Sequence, residues 1–313
     1  MKNSNTVLLF PGQGSQYVGM GKDLWSQFAQ ARETFEEAGD ALGEDMVELC
    51  FEGPEERLRL TENTQPAILT VSVAVWRVLR SETSLHPRCA AGHSLGEYAA
   101  LTAAGVLAFG EAIKVVRQRG RFMQEAVPPG SGAMAALLGL DAEEVARLCR
   151  ELRGEGIVEP ANFNAPGQVV ISGHAAAVEE VSRLARDRGA RKVLPLPVSA
   201  PFHSPLMVPA GERLAGELGR LQIGEFEFPV ISNVEAAPYL GPDRVVELLT
   251  RQVSHPVRWQ ESMEAVAQMG VDLAVELGPK RVLAGLMKRI VPEVETAQVE
   301  DRTGLQKVMT LIQ

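Results

Sequence analysis

The sequence predicts an α/β protein: a parallel sheet covered by helices on both faces, with a smaller α/β unit inserted into it. Three observations carry this expectation. Two short apolar runs, 7–10 and 271–277, stop abruptly at Pro11-Gly12 and Gly278-Pro279. Such short, predominantly apolar runs mark strands buried on both faces. Stretches of helical periodicity alternate with such runs, as in successive βα units. Between 127 and 198 the order changes to β-α-β-β-α-β, the arrangement of a ferredoxin-like unit. The expected division is therefore a discontinuous large domain, 1–126 with 199–313, and a small domain, 127–198. A chain of 313 residues has ample material for both cores.

Each element has its own grounds. The first strand, 7–10, is followed by helical patterns, the strongest at 66–80, where Pro66 suits a first helical turn and Thr64 a cap. Residues 88–92 form a second short strand, and 95–106 an Ala- and Leu-rich helix. The helix 111–126 is closed by Val127-Pro128-Pro129-Gly130, because proline lacks the N–H a helix interior needs. In the inserted unit 133–138 is a strand, and Asp141 with Glu144 makes a capping box that opens a helix running to 152. Strands 157–161 and 168–172 are joined by the turn-rich Asn162-Phe163-Asn164-Ala165-Pro166-Gly167. Helix 175–187, closed by Gly189, leads to a last strand at 192–198. The large domain resumes with a helix after Pro205, a strand at 229–232, helices at 243–252 and 257–269, and the strand 271–277.

Composition limits the function. With 45% hydrophobic and 23% charged residues the chain has the make-up of a soluble globular protein. A net charge of −9 argues against a general binder of nucleic acid or anionic membrane, since both need basic patches. The longest apolar run, 67–76, is broken by Thr70 and Ser72 and falls short of the roughly 18 residues of a spanning helix. The N-terminus reaches Pro11-Gly12 too soon for a signal peptide. Cys50, Cys89 and Cys149 have no CxxC spacing, so buried thiols in a reducing cytoplasm are expected, with neither a disulfide framework nor a metal site.

Four features carry chemistry. Gly92-His93-Ser94-Leu95-Gly96 falls between a predicted strand and a predicted helix, the context of a nucleophile elbow. There Ser94 would be lifted out of the turn and the Leu95 N–H would face a developing oxyanion; a serine capping the helix is the plainer alternative. A serine nucleophile needs a base, and five histidines are available. His86 lies in a loop, His93 should point away from Ser94, and His174 opens a helix. His203, in Ser199-Ala200-Pro201-Phe202-His203-Ser204-Pro205, lies at the domain junction, where clefts form; His255 is the second choice. On the helix 111–126, Arg119 sits among Ala112, Val115, Val116, Phe122, Met123 and Ala126 on the apolar stripe. A buried guanidinium needs a carboxylate, from the protein or from an acidic ligand. Arg117 and Arg121 are expected to be solvated. Finally, Phe10-Pro11-Gly12-Gln13-Gly14-Ser15-Gln16 follows the first strand. It is neither a P-loop nor a dinucleotide fingerprint, but it could supply a second oxyanion N–H.

Together these residues resemble the malonyl-CoA:acyl-carrier-protein transacylases of bacterial fatty acid synthesis. The resemblance spans essentially the whole chain and is carried by Leu9-Phe10-Pro11-Gly12-Gln13-Gly14-Ser15-Gln16, Thr64-Gln65-Pro66-Ala67, Gly92-His93-Ser94-Leu95-Gly96-Glu97, Arg119-Gly120, Ala161-Asn162-Phe163-Asn164, Ala200-Pro201-Phe202-His203 and Glu276-Leu277-Gly278-Pro279. It implies an α/β-hydrolase-like large domain with an inserted ferredoxin-like domain. It implies Ser94 as nucleophile, His203 as base, Gln13 and Leu95 as oxyanion donors, and Arg119 as the malonyl carboxylate clamp. The main-chain carbonyl of Gln252 would orient the histidine, with no third acid, which returns His255 to a structural role. Phe202 matches members that accept malonyl rather than methylmalonyl.

The resemblance further implies ping-pong transfer from malonyl-CoA to acyl carrier protein, without a metal or redox cofactor, by a cytoplasmic enzyme expected to be a monomer. The small domain is close to neutral while the rest holds the acidic excess. An acidic carrier is therefore expected to dock near Arg183, Arg186, Arg188, Arg191 and Lys192, unless these are only a solvated face. The competing readings are a free-standing acyltransferase of a polyketide synthase, a serine hydrolase such as a thioesterase, and a non-catalytic carrier-binding module.

Overall fold

The computed structural model describes residues 5–152, 154, 156–198 and 200–312. The expected domain limits at Met1, Ser199 and Gln313 lie outside the described residues. Among these residues the strands are β1 (Thr6–Phe10), β2 (Cys89–Gly92), β3 (Gly132–Leu138), β4 (Val158–Ala165), β5 (Gln168–His174), β6 (Lys192–Pro195), β7 (Val230–Ile231), β8 (Leu273–Leu277) and β9 (Glu295–Val299). They form two sheets. The first has the order β7-β2-β1-β8-β9 and is parallel throughout. The second has the order β4-β5-β3-β6 and is antiparallel. The α/β class with a parallel sheet and a separate small sheet is as the sequence predicts.

The apolar runs find their explanation in the alternation of side chains across a strand. Leu8, Phe10 and Ala90 enter one core with the helices Thr61–Glu82 and Phe109–Glu125; Val7, Leu9, Cys89 and Ala91 enter another with Trp259–Gln268 and Leu283–Ile290. The small sheet repeats the logic. Ala135 and Leu137 of β3 face its own helices, Ala142–Glu151 and Ala175–Asp187, while Met134 and Ala136 face the main core. Backbone joins the small sheet to the segment before the helix Trp259–Gln268: Val257 N–H donates to Ala161 O (2.9 Å) and Phe163 N–H to Val257 O (2.9 Å). All three cysteines are buried and free. No described helix is long and apolar enough to cross a membrane.

Several local expectations need correction. The helix expected at 66–80 spans Thr61–Glu82 with Pro66 inside it, and the Thr64 hydroxyl donates to Leu58 O rather than capping. The main-chain N–H groups of Asn63 and Thr64 bond Leu60 O, so the helix has begun before proline removes a donor. The Asp141 capping bond is absent; Glu144 pairs instead with Arg147 and Arg188. Arg117 is not solvated but half-buried against Glu44, whereas Arg121 is exposed beside Glu125. The last small-domain strand stops at Pro195; the Leu196 N–H still donates to Met134 O (2.9 Å), and Pro197 beyond it has no N–H to continue the ladder. Strand β9 and the helix Arg302–Ile312 were not anticipated: β9 is an edge strand whose Glu295 and Gln298 interrupt the apolar pattern.

Two contacts set the geometry of the site from a distance. The buried Glu276 carboxylate accepts the N–H groups of Val282, Leu283 and Ala284 (3.1, 3.0 and 2.9 Å), holding the start of the helix after β8. At Gly120 the helix Phe109–Glu125 lies so close to Thr61–Glu82 that a Cβ would sit 2.6 Å from Thr61 O. Gly120→Ala should therefore force the two helices apart, cost about 1–3 kcal/mol and lower the thermal midpoint. An unchanged midpoint would show that this contact yields freely.

Candidate active site

The chain reverses direction between β2 and the helix Gly96–Ala103, and Ser94 occupies the turn with φ 53°. This left-handed conformation is costly for a side-chain-bearing residue and persists only where the surroundings enforce it. Here the enforcement is steric on both sides. A Cβ on Gly92 would lie 1.9 Å from the Gly96 carbonyl, and one on Gly96 would lie 2.0 Å from Phe10 O. Asn233, just after β7, pins the turn from a third side. Its Nδ2 donates to Gly92 O (2.7 Å) and its Oδ1 accepts the Ser94 N–H (2.7 Å).

Two groups converge on the Ser94 hydroxyl. His203 Nε2 lies 2.7 Å from Ser94 Oγ. The other ring nitrogen, Nδ1, lies 2.8 Å from Gln252 O and 3.2 Å from His255 O. Carbonyl oxygens only accept, so Nδ1 carries the proton and Nε2 is left to accept from the hydroxyl. His203, also at positive φ (57°), is 4% exposed. Burial, reinforced by the nearby Arg119 cation, pushes its pKa down to about 3. Arg119 Nη2 donates to the same Oγ at 3.0 Å.

Arg119 is 1% exposed, as its place on the apolar stripe requires. Of the two alternatives for its partner, a protein carboxylate is not in contact with it. Its hydrogen-bond partners besides Ser94 are neutral oxygens, Gln65 Oε1 (2.7 Å) and Gln252 Oε1 (2.9 Å), and it lies 5.5 Å from the centroid of the Tyr98 ring. Its Nε makes no hydrogen bond among the described residues. Burial lowers the guanidinium's pKa, and the Glu97 charge opposes that shift.

The remaining sequence-predicted residues fall around this centre. The loop carrying Gln13 presses on the elbow, for a Cβ on Gly12 would lie 2.4 Å from His93 O, and Gln13 Nε2 donates to Thr61 Oγ1 (3.3 Å). Neither the Gln13 nor the Leu95 N–H is bonded to another described residue. His93 does point away: its Nε2 is 2.8 Å from Asn164 Oδ1 and its ring packs 5.4 Å from Trp259, which accounts for the Ala161 to Asn164 motif. His255 contributes its carbonyl oxygen to His203, while its ring lies 2.8 Å from Arg251 O. Phe202 is buried in the main core. Among the proposed docking cations, Arg183 is tied to Glu180 and Asp187, and Arg188 to Glu144 and Glu151. Arg186, Arg191 and Lys192 are exposed.

Sequence reasoning missed Glu97, Asn233 and the side-chain roles of Gln65 and Gln252. For Glu97 a signal existed, a carboxylate on an otherwise Ala- and Leu-rich helix; for Asn233 there was none. Glu97 is fully buried and accepts from Tyr239 Oη (2.5 Å), Gln252 Nε2 (2.6 Å) and the Asn233 N–H (3.2 Å).

Comparison with known proteins was consistent across three independent kinds of match. The acyl transferase domain family matches residues 7–310. The malonyl CoA-acyl carrier protein transacylase of Escherichia coli K12 is 45% identical over 305 residues, 97% of this chain and 99% of that protein. A crystal structure of an acyl carrier protein S-malonyltransferase from Vibrio cholerae superposes with a TM-score of 0.95 at 46% identity, covering 97% of this chain and all of that one. A malonyl-transacylase in complex with its holo type II polyketide synthase acyl-carrier protein gives 0.96 at 46% identity, over 98% of this chain and 100% of that one.

Because His203 is held neutral far below the usual histidine range, its ring NMR signals should show no protonation step between pH 8 and 5. An ordinary histidine would be about 97% protonated at the lower limit. The unfolded chain takes up that proton as pH falls through about 6.5, so this group's contribution to stability declines from there toward pH 3. A titration step near 6.5 would contradict the burial assigned here.

Proposed function

This chain belongs to the acyl transferase family, and from that membership we propose the reaction of its site: malonyl transfer from malonyl-CoA to acyl carrier protein through a malonyl-Ser94 ester. One observation supports it above the others: the base His203 and the cation Arg119 meet at one hydroxyl oxygen.

His203 Nε2 takes the Ser94 proton as Oγ attacks the thioester carbonyl carbon. The oxyanion is received by the Gln13 and Leu95 N–H groups. When the tetrahedral intermediate collapses the C–S bond breaks, and coenzyme A leaves with the proton from His203. The malonyl ester remains with its carboxylate on Arg119. The pantetheine thiol of the carrier then loses its proton to His203 and attacks the ester carbonyl. The C–O bond breaks, and His203 returns the proton to Ser94. The chemistry draws on protein groups alone. The Gln252 carbonyl keeps the imidazole in the tautomer that both halves need.

Arg119 gives the site its selectivity. Malonyl brings a carboxylate to a desolvated guanidinium, whereas acetyl leaves that cation unpaired. Phe202, beside His203, would crowd a methylmalonyl branch. Residues 127–198 form the inserted domain and 1–126 with 199–313 the catalytic one. The protein acts as a monomer in the cytoplasm, where its three thiols remain reduced. The carrier is that of fatty acid synthesis; the likeness to a polyketide-serving enzyme makes a polyketide carrier the second reading.

Intact-protein mass spectrometry tests the reaction. Mixing with malonyl-CoA should add one malonyl group, absent in Ser94→Ala, and holo acyl carrier protein should remove it. Free malonate without an adduct would favour a hydrolase. Arg119→Ala should lower the preference for malonyl-CoA over acetyl-CoA by roughly ten- to a hundredfold. Equal loss on both substrates would remove Arg119 from the clamp.

A further inference from the structure

Arg119 is buried without touching a carboxylate, yet a buried anion stands one amide group away. Glu97 Oε2 accepts from Gln252 Nε2 at 2.6 Å, and the oxygen of the same amide, Gln252 Oε1, accepts from Arg119 Nη2 at 2.9 Å. An amide has one donating end and one accepting end. An anion fixed at the donating end therefore dictates that oxygen faces the cation. Were the amide turned over, its NH2 would confront the guanidinium, donor against donor. Gln252 Nε2 also donates to Ser94 O at 2.9 Å, which ties the same side chain to the elbow.

The surroundings of Glu97 suit an anion. Its two oxygens receive the Tyr239 hydroxyl, the Gln252 amide and the Asn233 N–H, all of them donors. Burial raises the carboxyl's pKa, those donors and the Arg119 charge oppose it, and the balance leaves it at about 7. A direct Glu97–Arg119 pair would fill the guanidinium fork with two parallel bonds. The interposed neutral amide presents its oxygen dipole to the cation, with the Glu97 charge behind it, and takes only one N–H, and Arg119 Nε remains without a partner among the described residues.

We propose that Glu97 is a positioning residue that acts through the Gln252 amide to hold Arg119 in place while leaving part of its guanidinium fork open to the substrate carboxylate. This rests on the reading of Arg119 as the malonyl clamp. It assigns a function to the Gln252 side chain distinct from that of its main-chain oxygen, which faces His203. Loss of Glu97 should then weaken recognition of the acyl carboxylate and spare the Ser94–His203 chemistry.

A double-mutant cycle tests this. The kcat and KM for malonyl-CoA and acetyl-CoA are measured with holo carrier in excess for the wild type, Glu97→Gln, Gln252→Met and the double variant. Each single substitution should cut the malonyl-over-acetyl preference about tenfold, mainly through the KM for malonyl-CoA; in Glu97→Gln kcat/KM for acetyl-CoA should stay within about threefold, while Gln252→Met, which also loses its bond to Ser94 O, is read by the preference alone. The double variant should lose no more than either single one, because both break the same relay. Equal losses on both substrates, an unchanged preference, or additive losses would overturn the proposal. A wild type without malonyl preference would instead overturn the clamp reading. Should Glu97→Gln not fold, Glu97→Asp, which keeps the charge but withdraws it from Gln252 by one methylene, must give the same selective loss.

Discussion

The site hangs from a turn that leaves no room for a side chain on either flank. Gly92 and Gly96 bracket Ser94 so closely that the elbow has essentially one conformation, and Asn233 fixes it by holding Gly92 O and the Ser94 N–H together. That turn can be surrounded only because of strand order. With β1 on one side of β2 and β7 on the other, the Gln13 loop and Asn233 approach the same serine from opposite directions. The carboxyl ends of parallel strands are where such loops collect.

Around the elbow lies a buried polar network in which charge is handled sparingly. One cation and one carboxylate are buried, separated by an amide, and neutral groups supply most of the remaining contacts. Low local dielectric makes each misplaced dipole costly, so the arrangement specifies a single state. The same economy appears at His203, which is oriented by carbonyl oxygens rather than by an acid. A carboxylate there would raise the basicity of the imidazole; a carbonyl fixes the tautomer and leaves the ring neutral. The small sheet joins this network through Asn164 on His93 and through the backbone pairing of β4 with Val257.

Much of this was legible in the sequence because it is local. A glycine-bracketed serine between a strand and a helix reports its own geometry, and an arginine on an apolar stripe reports its own burial. Both short, predominantly apolar runs became interior strands of the parallel sheet for the same reason. What sequence could not show depends on partners far away in the chain. Glu97, Asn233 and Gln252 meet across more than a hundred residues, and no periodicity marks such a meeting. Arg119 illustrates the boundary: its burial was predictable, but whether its partner is a protein carboxylate or an acidic ligand depends on distant side chains, and those that reach it are two glutamine oxygens and a serine hydroxyl. Pro66 misled for the opposite reason, since a proline preference for first turns is only statistical and this helix tolerates it farther in.

The three buried cysteines carry a consequence for an enzyme that exchanges acyl groups between thiols. Coenzyme A and pantetheine both present a free sulfhydryl, and an exposed protein thiol would compete with them for the activated malonyl group and trap either one as a mixed disulfide. Burial pushes Cys89 and Cys149 up to about 12 and Cys50 higher still, so none supplies a thiolate at neutral pH. The protein is thus chemically silent toward the nucleophiles it serves. Every sulfur atom that can accept the malonyl group arrives from outside, and the traffic passes through a single oxygen.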